Sequence, residues 1–176
     1  MSDFYHIQSE FDLDNLRAAR ETLGFYFFIQ TPAKTTMTKD EVQAIVGPFY
    51  KQALTVNTET TSSAVLEKIL APSFQSINSQ GTKDKATLIQ QVAGFWKLIP
   101  DLVWATQDLV IGTDGKKVVV RAVASGSPKG NFMGMELDGS KSFRIDTTDI
   151  HEIENGQIVR VHHLEDWATG MKQLKS

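Results

Sequence analysis

The 176-residue chain contains no cysteine. That excludes a disulfide framework, a thiolate nucleophile and a zinc-thiolate site, and leaves nothing to mark a redox compartment. It also lacks any run of lysine and arginine. With a formal net charge of −3 and a pI near 5.8 it presents no basic field to a phosphate backbone, so nucleic acid is not expected as a partner. Long hydrophobic runs are missing too. The one candidate, Leu23 to Ile29, is interrupted by Gly24 and preceded by Asp3, Glu10, Asp12 and Asp14, and no Ala-x-Ala site follows it. So short a run does not span a bilayer and does not read as a targeting signal. No membrane association and a cytoplasmic location are therefore expected. No internal repeat or low-complexity segment is present.

What the chain does have is 41% hydrophobic residues, enough for one globular domain with a substantial core. Residues 1–37 read as an extension: a short helix near Asn15 to Leu23, stopped by Gly24, then the aromatic segment Phe25 to Phe28, which must be buried by a partner chain or by its own core. Residues 38–176 carry the domain.

Thr38 and Glu41 form a capping box, and Val42, Ile45, Val46, Phe49, Ala53 and Leu54 follow at helical spacing. A second, shorter helix carries Val65, Leu66, Ile69 and Leu70 and stops at Ala71-Pro72. A third carries Leu88, Ile89, Val92, Phe95, Trp96 and Ile99 and stops at Pro100. Strands are expected over Leu102 to Ile111 and Lys117 to Ser125, around an Asp114-Gly115 turn that sets Arg121 opposite Asp108 as a cross-strand ion pair. A further strand, Phe132 to Leu137, lies between glycine-rich breaks. Trp167, Met171 and Leu174 mark a terminal helical turn or two. Three helices followed by antiparallel strands predict an α+β architecture in which the helices pack on the concave face of a curved antiparallel sheet. The mouth of such a cone is a natural cavity for a small apolar ligand.

The strongest local signal is Asn155-Gly156, flanked by two alternating segments between Lys141 and Asp166. A type I′ turn there places Glu154 opposite Gln157, Ile153 opposite Ile158, His151 opposite Arg160 and Asp149 opposite His162. Directly opposed side chains have Cβ atoms roughly 4.5–5.5 Å apart, so Asp149 is expected to orient His162 and raise its basicity. Asp166 falls on the same face, about 13 Å further along at ~3.3 Å per residue, at the far end of a pocket suited to an extended substrate. Asp166 also suits the N-cap of the turn starting at Trp167. The adjacent His162 and His163 point to opposite faces and do not share a metal ion. A site of Asp149, His162 and one more carboxylate is the remaining metal arrangement.

Several short motifs in order resemble one family. Phe49-Tyr50, Leu70-Ala71-Pro72-Ser73-Phe74, Ile99-Pro100-Asp101-Leu102, Val118-Val119-Val120-Arg121, Gly130-Asn131-Phe132-Met133-Gly134, Asp138-Gly139-Ser140-Lys141, Asp149-Ile150, Gly156-Gln157-Ile158-Val159, Asp166 and Gln173-Leu174 are similar to the SnoaL-like polyketide cyclases of the nuclear-transport-factor-2-like superfamily, over about residues 40–175. The resemblance implies the cone-shaped fold, which is cystatin-like in outline, a reaction without metal or organic cofactor, a polyketide-like ligand, a homodimer paired through the outer sheet face, and an acid/base aspartate at Asp166. Where many relatives read Glu-His-Trp, this chain has Arg160-Val161-His162. Arg144-Ile145-Asp146 resembles the Arg-x-Asp of limonene-epoxide-hydrolase relatives, but its parity points it away from Asp149.

The expected function is cofactor-independent acid/base catalysis on an apolar, carbonyl-bearing small molecule: cyclase, isomerase or lyase chemistry. Asp149, His162 and Asp166 carry it, and Tyr50, Phe95, Trp96, Trp104, Phe132, Met135 and Phe143 line the pocket. The alternatives are an epoxide-hydrolase-like hydrolase and a non-catalytic small-molecule-binding or dimerisation module of the same fold.

Overall fold

The computed structural model describes residues 37–176; the expected helix and aromatic segment of the extension lie outside them. Helix α1 (Lys39–Pro48) opens with the capping box: Thr38 Oγ1 accepts from the Glu41 N–H at 3.3 Å, and the Glu41 carboxylate accepts from the Thr38 N–H at 2.8 Å. Pro48 has no N–H to donate, and past it the helix continues as a π-helical segment, Phe49–Leu54, that buries Phe49, Tyr50, Ala53 and Leu54. Helix α2 (Ser62–Ile69), capped by Thr61, runs directly into strand β1 (Leu70–Asn78), which turns back as β2 (Gly81–Asp84). Asp84 then caps helix α3 (Lys85–Leu98) through the Thr87 N–H at 2.8 Å.

Strands β3 (Val103–Ile111) and β4 (Lys117–Gly126) follow, then the small hairpin β5 (Lys129–Phe132) and β6 (Met135–Asp138), the long pair β7 (Phe143–Glu154) and β8 (Gln157–Glu165), and helix α4 (Trp167–Lys175). The main sheet is curved and ordered β2-β1-β8-β7-β4-β3. Only β1 and β8 run parallel.

The architecture is mixed α+β, with one correction to the expected helices-then-strands order. The β1–β2 hairpin separates the second helix from the third, so the three helices do not all precede the strands; α4 closes the chain where the terminal helical turns were expected. Pro72 ends the helix as read, but the chain re-enters as a strand. The irregular stretch between the Leu70–Ile158 and Gln75–Arg160 pairs holds Pro72 where no ladder N–H is required. Phe132 to Leu137 is likewise not one strand but two, joined at Met133-Gly134, both with left-handed φ (51° and 78°). The Asp114-Gly115 hairpin keeps the expected register, with Asp108 opposite Arg121 and the carboxylate 2.7 Å from the guanidinium.

One sheet face is packed against the helices. Along β7 its inward positions read Phe143, Ile145, Thr147, Asp149, His151 and Ile153, all buried. Neighbouring β4 contributes Val118, Val120, Ala122 and Ala124 to the same apolar layer. Thr147, Asp149 and His151 are therefore three consecutive polar side chains in the middle of a hydrophobic face. Burying them without partners is costly, which directs attention to what they touch.

Candidate functional site

The β7–β8 turn forms as expected, with Asn155 at φ 49° and Gly156 at φ 78°, and Glu154 pairs with Gln157 and Ile153 with Ile158. Beyond that point the register slips. Glu152 pairs with Arg160 and His151 with Val161, so β8 carries one extra residue at Val159, a β-bulge. The consequence corrects the central pairing: Asp149 faces His163, and His162 sits opposite Ile150 on the exposed outer face. The physical reason is visible in the pairs that result. Without the bulge Arg160 would stand opposite the fully buried His151; with it, Val161 fills that place, and Arg160 turns outward to an ion pair with Glu152 at 2.7 Å.

Asp149 is 2% exposed. The Tyr50 hydroxyl, brought in by the π-helical segment, donates to Asp149 Oδ2 at 2.6 Å and lies 2.6 Å from His151 Nε2. A phenol has a single proton. Given to Asp149, it leaves the Tyr50 oxygen to accept from His151, which therefore carries its hydrogen on Nε2. The remaining ring nitrogen, His151 Nδ1, has no partner among the described residues. Burial drives the charges of all three groups. It pushes the Asp149 carboxyl up to about 7, with the Tyr50 hydrogen bond opposing, Glu165 adding to the rise and His163 reducing it. It pulls His151 down to about 3, so the imidazole is neutral at physiological pH. It raises the Tyr50 phenol well above its ordinary value, and the Asp149 charge reinforces the effect.

Across from Asp149, His163 is held at both nitrogens: Nδ1 lies 2.9 Å from Glu165 Oε1 and Nε2 lies 3.1 Å from Ser76 Oγ. Asp149, His163, Glu165 and Ser76 all line one cavity of about 50 Å³. Its apolar wall includes Phe95 and Trp104, and its polar wall includes Gln91, whose Oε1 is buried without a partner among the described residues.

Of the residues expected at the site, Asp149, Phe95 and Trp104 come together there, and Tyr50 supports Asp149 from behind. The others lie elsewhere. Asp166 is exposed and caps α4, accepting from the Thr169 N–H at 3.1 Å, which holds its carboxyl below the ordinary value. Trp96 donates its indole N–H to the Ala53 carbonyl at 2.9 Å. Phe132 and Phe143 stack with ring centroids 6.3 Å apart against Trp167, and Met135 lines a separate surface groove beside Leu174. Arg144 and Asp146 of the hydrolase-like motif both face solvent. Among the described residues no group of three His, Asp or Glu side chains is arranged to hold a metal ion, and no helix is long and apolar enough to cross a membrane.

Sequence reasoning missed His163, Glu165, Ser76 and Gln91. A signal for the first two was present: Ile158 and Val161 are both apolar at an odd spacing, and only a bulge puts both on one face.

A sequence model of the SnoaL-like polyketide cyclases matches residues 46–174. Among solved structures, a protein of Jannaschia sp. CCS1 described as a candidate SnoaL-like polyketide cyclase superposes with a TM-score of 0.68 at 18% identity, covering 78% of this chain and 93% of that one. TsrD from Streptomyces laurentii gives 0.65 at 21% identity, over 78% and 97%. A SnoaL-like polyketide cyclase of Agrobacterium tumefaciens C58 gives 0.57 at 18% identity, over 77% and 95%. No curated protein matches the chain.

Proposed function

The chain belongs to the SnoaL-like polyketide cyclase family, and from that premise we propose that it is a cofactor-independent acid/base enzyme acting on the carbonyl-bearing end of a small apolar molecule, by cyclase or isomerase chemistry. The observation that carries the reading is Asp149, a carboxyl buried on an apolar sheet face, opening on a cavity and pushed up to about 7. A base poised near neutral pH combines a populated ionised form with enough basicity to remove a proton α to a carbonyl.

In this reading the role that the resemblance implies for Asp166 passes to Asp149, and that expected for His162 passes to His163. Asp149 removes the α-proton. Gln91 Oε1, unpartnered among the described residues at the cavity wall, is left as an acceptor for a substrate hydroxyl. His163, oriented by Glu165 and once protonated from solvent, delivers that proton through the Ser76 hydroxyl to the product. The proton held by Asp149 returns to solvent, so none is gained or lost overall. Phe95 and Trp104 hold the apolar remainder and limit water. The cavity has room for the reacting end of a substrate only: a water-sized group occupies about 10–15 Å³ by this measure, so about 50 Å³ takes a few such groups.

That same volume favours a second reading, a non-catalytic binding module, because ligand pockets are commonly about 300–1,000 Å³. Deuterium exchange into the α-positions of 2-butanone in D₂O separates the two. The enzyme reading expects exchange above the buffer rate, lost in Asp149→Asn. Exchange at the buffer rate in the wild type would leave the module.

A homodimer is part of the proposal. Val110, Val119 and Ile150 are cross-strand neighbours on the outer sheet face and are 62%, 37% and 39% exposed, an apolar row that a second copy would cover. Sedimentation showing a monomer at micromolar concentration, with and without residues 1–37, would remove it.

A further inference from the structure

Ser76 sits on β1 opposite Val161 of β8, so its side chain enters the core beside that of His163. It is 1% exposed and lines the cavity. Its hydroxyl is one end of a line of three groups, Ser76 Oγ to His163 Nε2 at 3.1 Å and His163 Nδ1 to Glu165 Oε1 at 2.9 Å. The order of donors is fixed by what each group is able to do. An ionised carboxylate only accepts, so a neutral His163 bonded to Glu165 carries its proton on Nδ1. Nε2 is then a bare acceptor, and the Ser76 hydroxyl donates to it. A hydroxyl donating to an imidazole whose far nitrogen is held by a carboxylate is the arrangement that activates serine as a nucleophile, whatever the fold that supplies it.

We infer that Ser76, His163 and Glu165 form a nucleophilic triad, and that the cavity accepts a short-chain carboxylic ester whose acyl group passes to Ser76 and then to water. Ser76 Oγ bonds to the carbonyl carbon as its proton moves to His163 Nε2. The bond from that carbon to the alcohol oxygen breaks, and the same proton leaves with the alcohol. Water then adds to the acyl-serine, giving one proton to His163; the carbon–Oγ bond breaks and Ser76 recovers the proton. Ester and water become carboxylic acid and alcohol, with nothing else consumed. Glu165 stabilises the imidazolium in both halves. The cavity, with room for about three to five water-sized groups, restricts the acyl chain to a few carbons.

The test uses the full chain and methanesulfonyl fluoride, a reagent small enough for the cavity that sulfonylates activated serines. The expected result is a mass gain of one methanesulfonyl group, mapped to Ser76, together with p-nitrophenyl acetate turnover that falls about 10²-fold or more in Ser76→Ala. In His163→Gln the labelling rate falls at least tenfold, with melting curves showing that each variant is folded. Ser76→Cys gives an independent reading: the chain has no other cysteine, so iodoacetamide uptake reports position 76 alone and slows when His163→Gln is added. No adduct on Ser76, or equal labelling with and without His163, overturns the triad and leaves Ser76 as a hydrogen-bond partner only. Labelling reads serine nucleophilicity, so it stands or falls apart from ketone exchange by Asp149.

Discussion

Tyr50 and Asp149, 99 positions apart in the chain, are joined by a 2.6 Å hydrogen bond in which the phenol donates to a carboxylate buried at the centre of the sheet. The π-helical segment that follows Pro48 is what delivers this hydroxyl, with Phe49 beside it packing edge-on to His151 at a centroid distance of 5.1 Å. The bond favours the ionised carboxylate against the burial that opposes it.

Tyr50→Phe should therefore push Asp149 above about 7 and move the rising limb of ketone exchange to higher pH. It should also cost about 1–3 kcal/mol of stability, because His151 loses its one partner. A ¹³C titration of the Asp149 carboxyl checks the first expectation and urea melts the second. An unchanged Asp149 titration would show that the hydroxyl does not govern it.

The pH dependence of stability should show two buried groups working in opposite directions. Asp149 is raised from 3.8 to about 7 on folding, so the native state holds more protons between those values; its contribution is fully present below pH 3.8 and lost as pH rises through 7. His151 is lowered from 6.5 to about 3. Its contribution is present above pH 6.5 and lost as pH falls toward 3. At about 1.4 kcal/mol per pH unit the two largely cancel between pH 4 and 6.5. Each single variant should unmask the other group: Asp149→Asn gains stability relative to wild type as pH rises from 4 to 7, and His151→Phe gains as pH falls over 6.5 to 3. Urea midpoints that move in parallel for all three proteins at every pH would remove this account.

Asp166 should behave as a cap. Its carboxylate is committed to the Thr169 N–H at the start of α4, so Asp166→Ala should lower the melting temperature by a few degrees and Asp166→Asn, also a good N-cap, much less. Both should exchange 2-butanone protons at the wild-type rate. A large loss of exchange in Asp166→Asn would return the acid/base role to that residue.

Local signals were legible wherever residue type dictates backbone geometry. The Thr38/Glu41 box, the Asp114-Gly115 register and the Asn155-Gly156 turn all form as read, because caps and left-handed turn positions are decided within four residues. Strand β1 was not legible. Four of its nine residues are polar (Ser73, Gln75, Ser76 and Asn78), and its main partner is the parallel strand β8, more than 80 positions away, a pairing with no local signature. The turn at Met133-Gly134 was missed because methionine rarely adopts positive φ. At the site, Asp149 was identified from its place in an alternating strand. Its partner was misassigned by one residue because a bulge at Val159 inverts every face beyond it.

That one-residue inversion makes adjacent histidines the sharpest test. His162 is exposed on the outer face opposite Ile150, whereas His163 is tied to Ser76 and Glu165 at the cavity. His162→Ala should change stability by no more than about 0.5 kcal/mol and leave ketone exchange and Ser76 labelling as they are. His163→Ala leaves Ser76 and Glu165 without their shared partner, which should cost about 1–3 kcal/mol, and should reduce exchange about 10²-fold or more, the scale of a positioned proton-transfer group. Measured side by side with melting curves, the pair distinguishes the observed register from the unbulged one. If His162→Ala loses exchange while His163→Ala keeps it, the bulge is misplaced and Asp149 faces the other histidine.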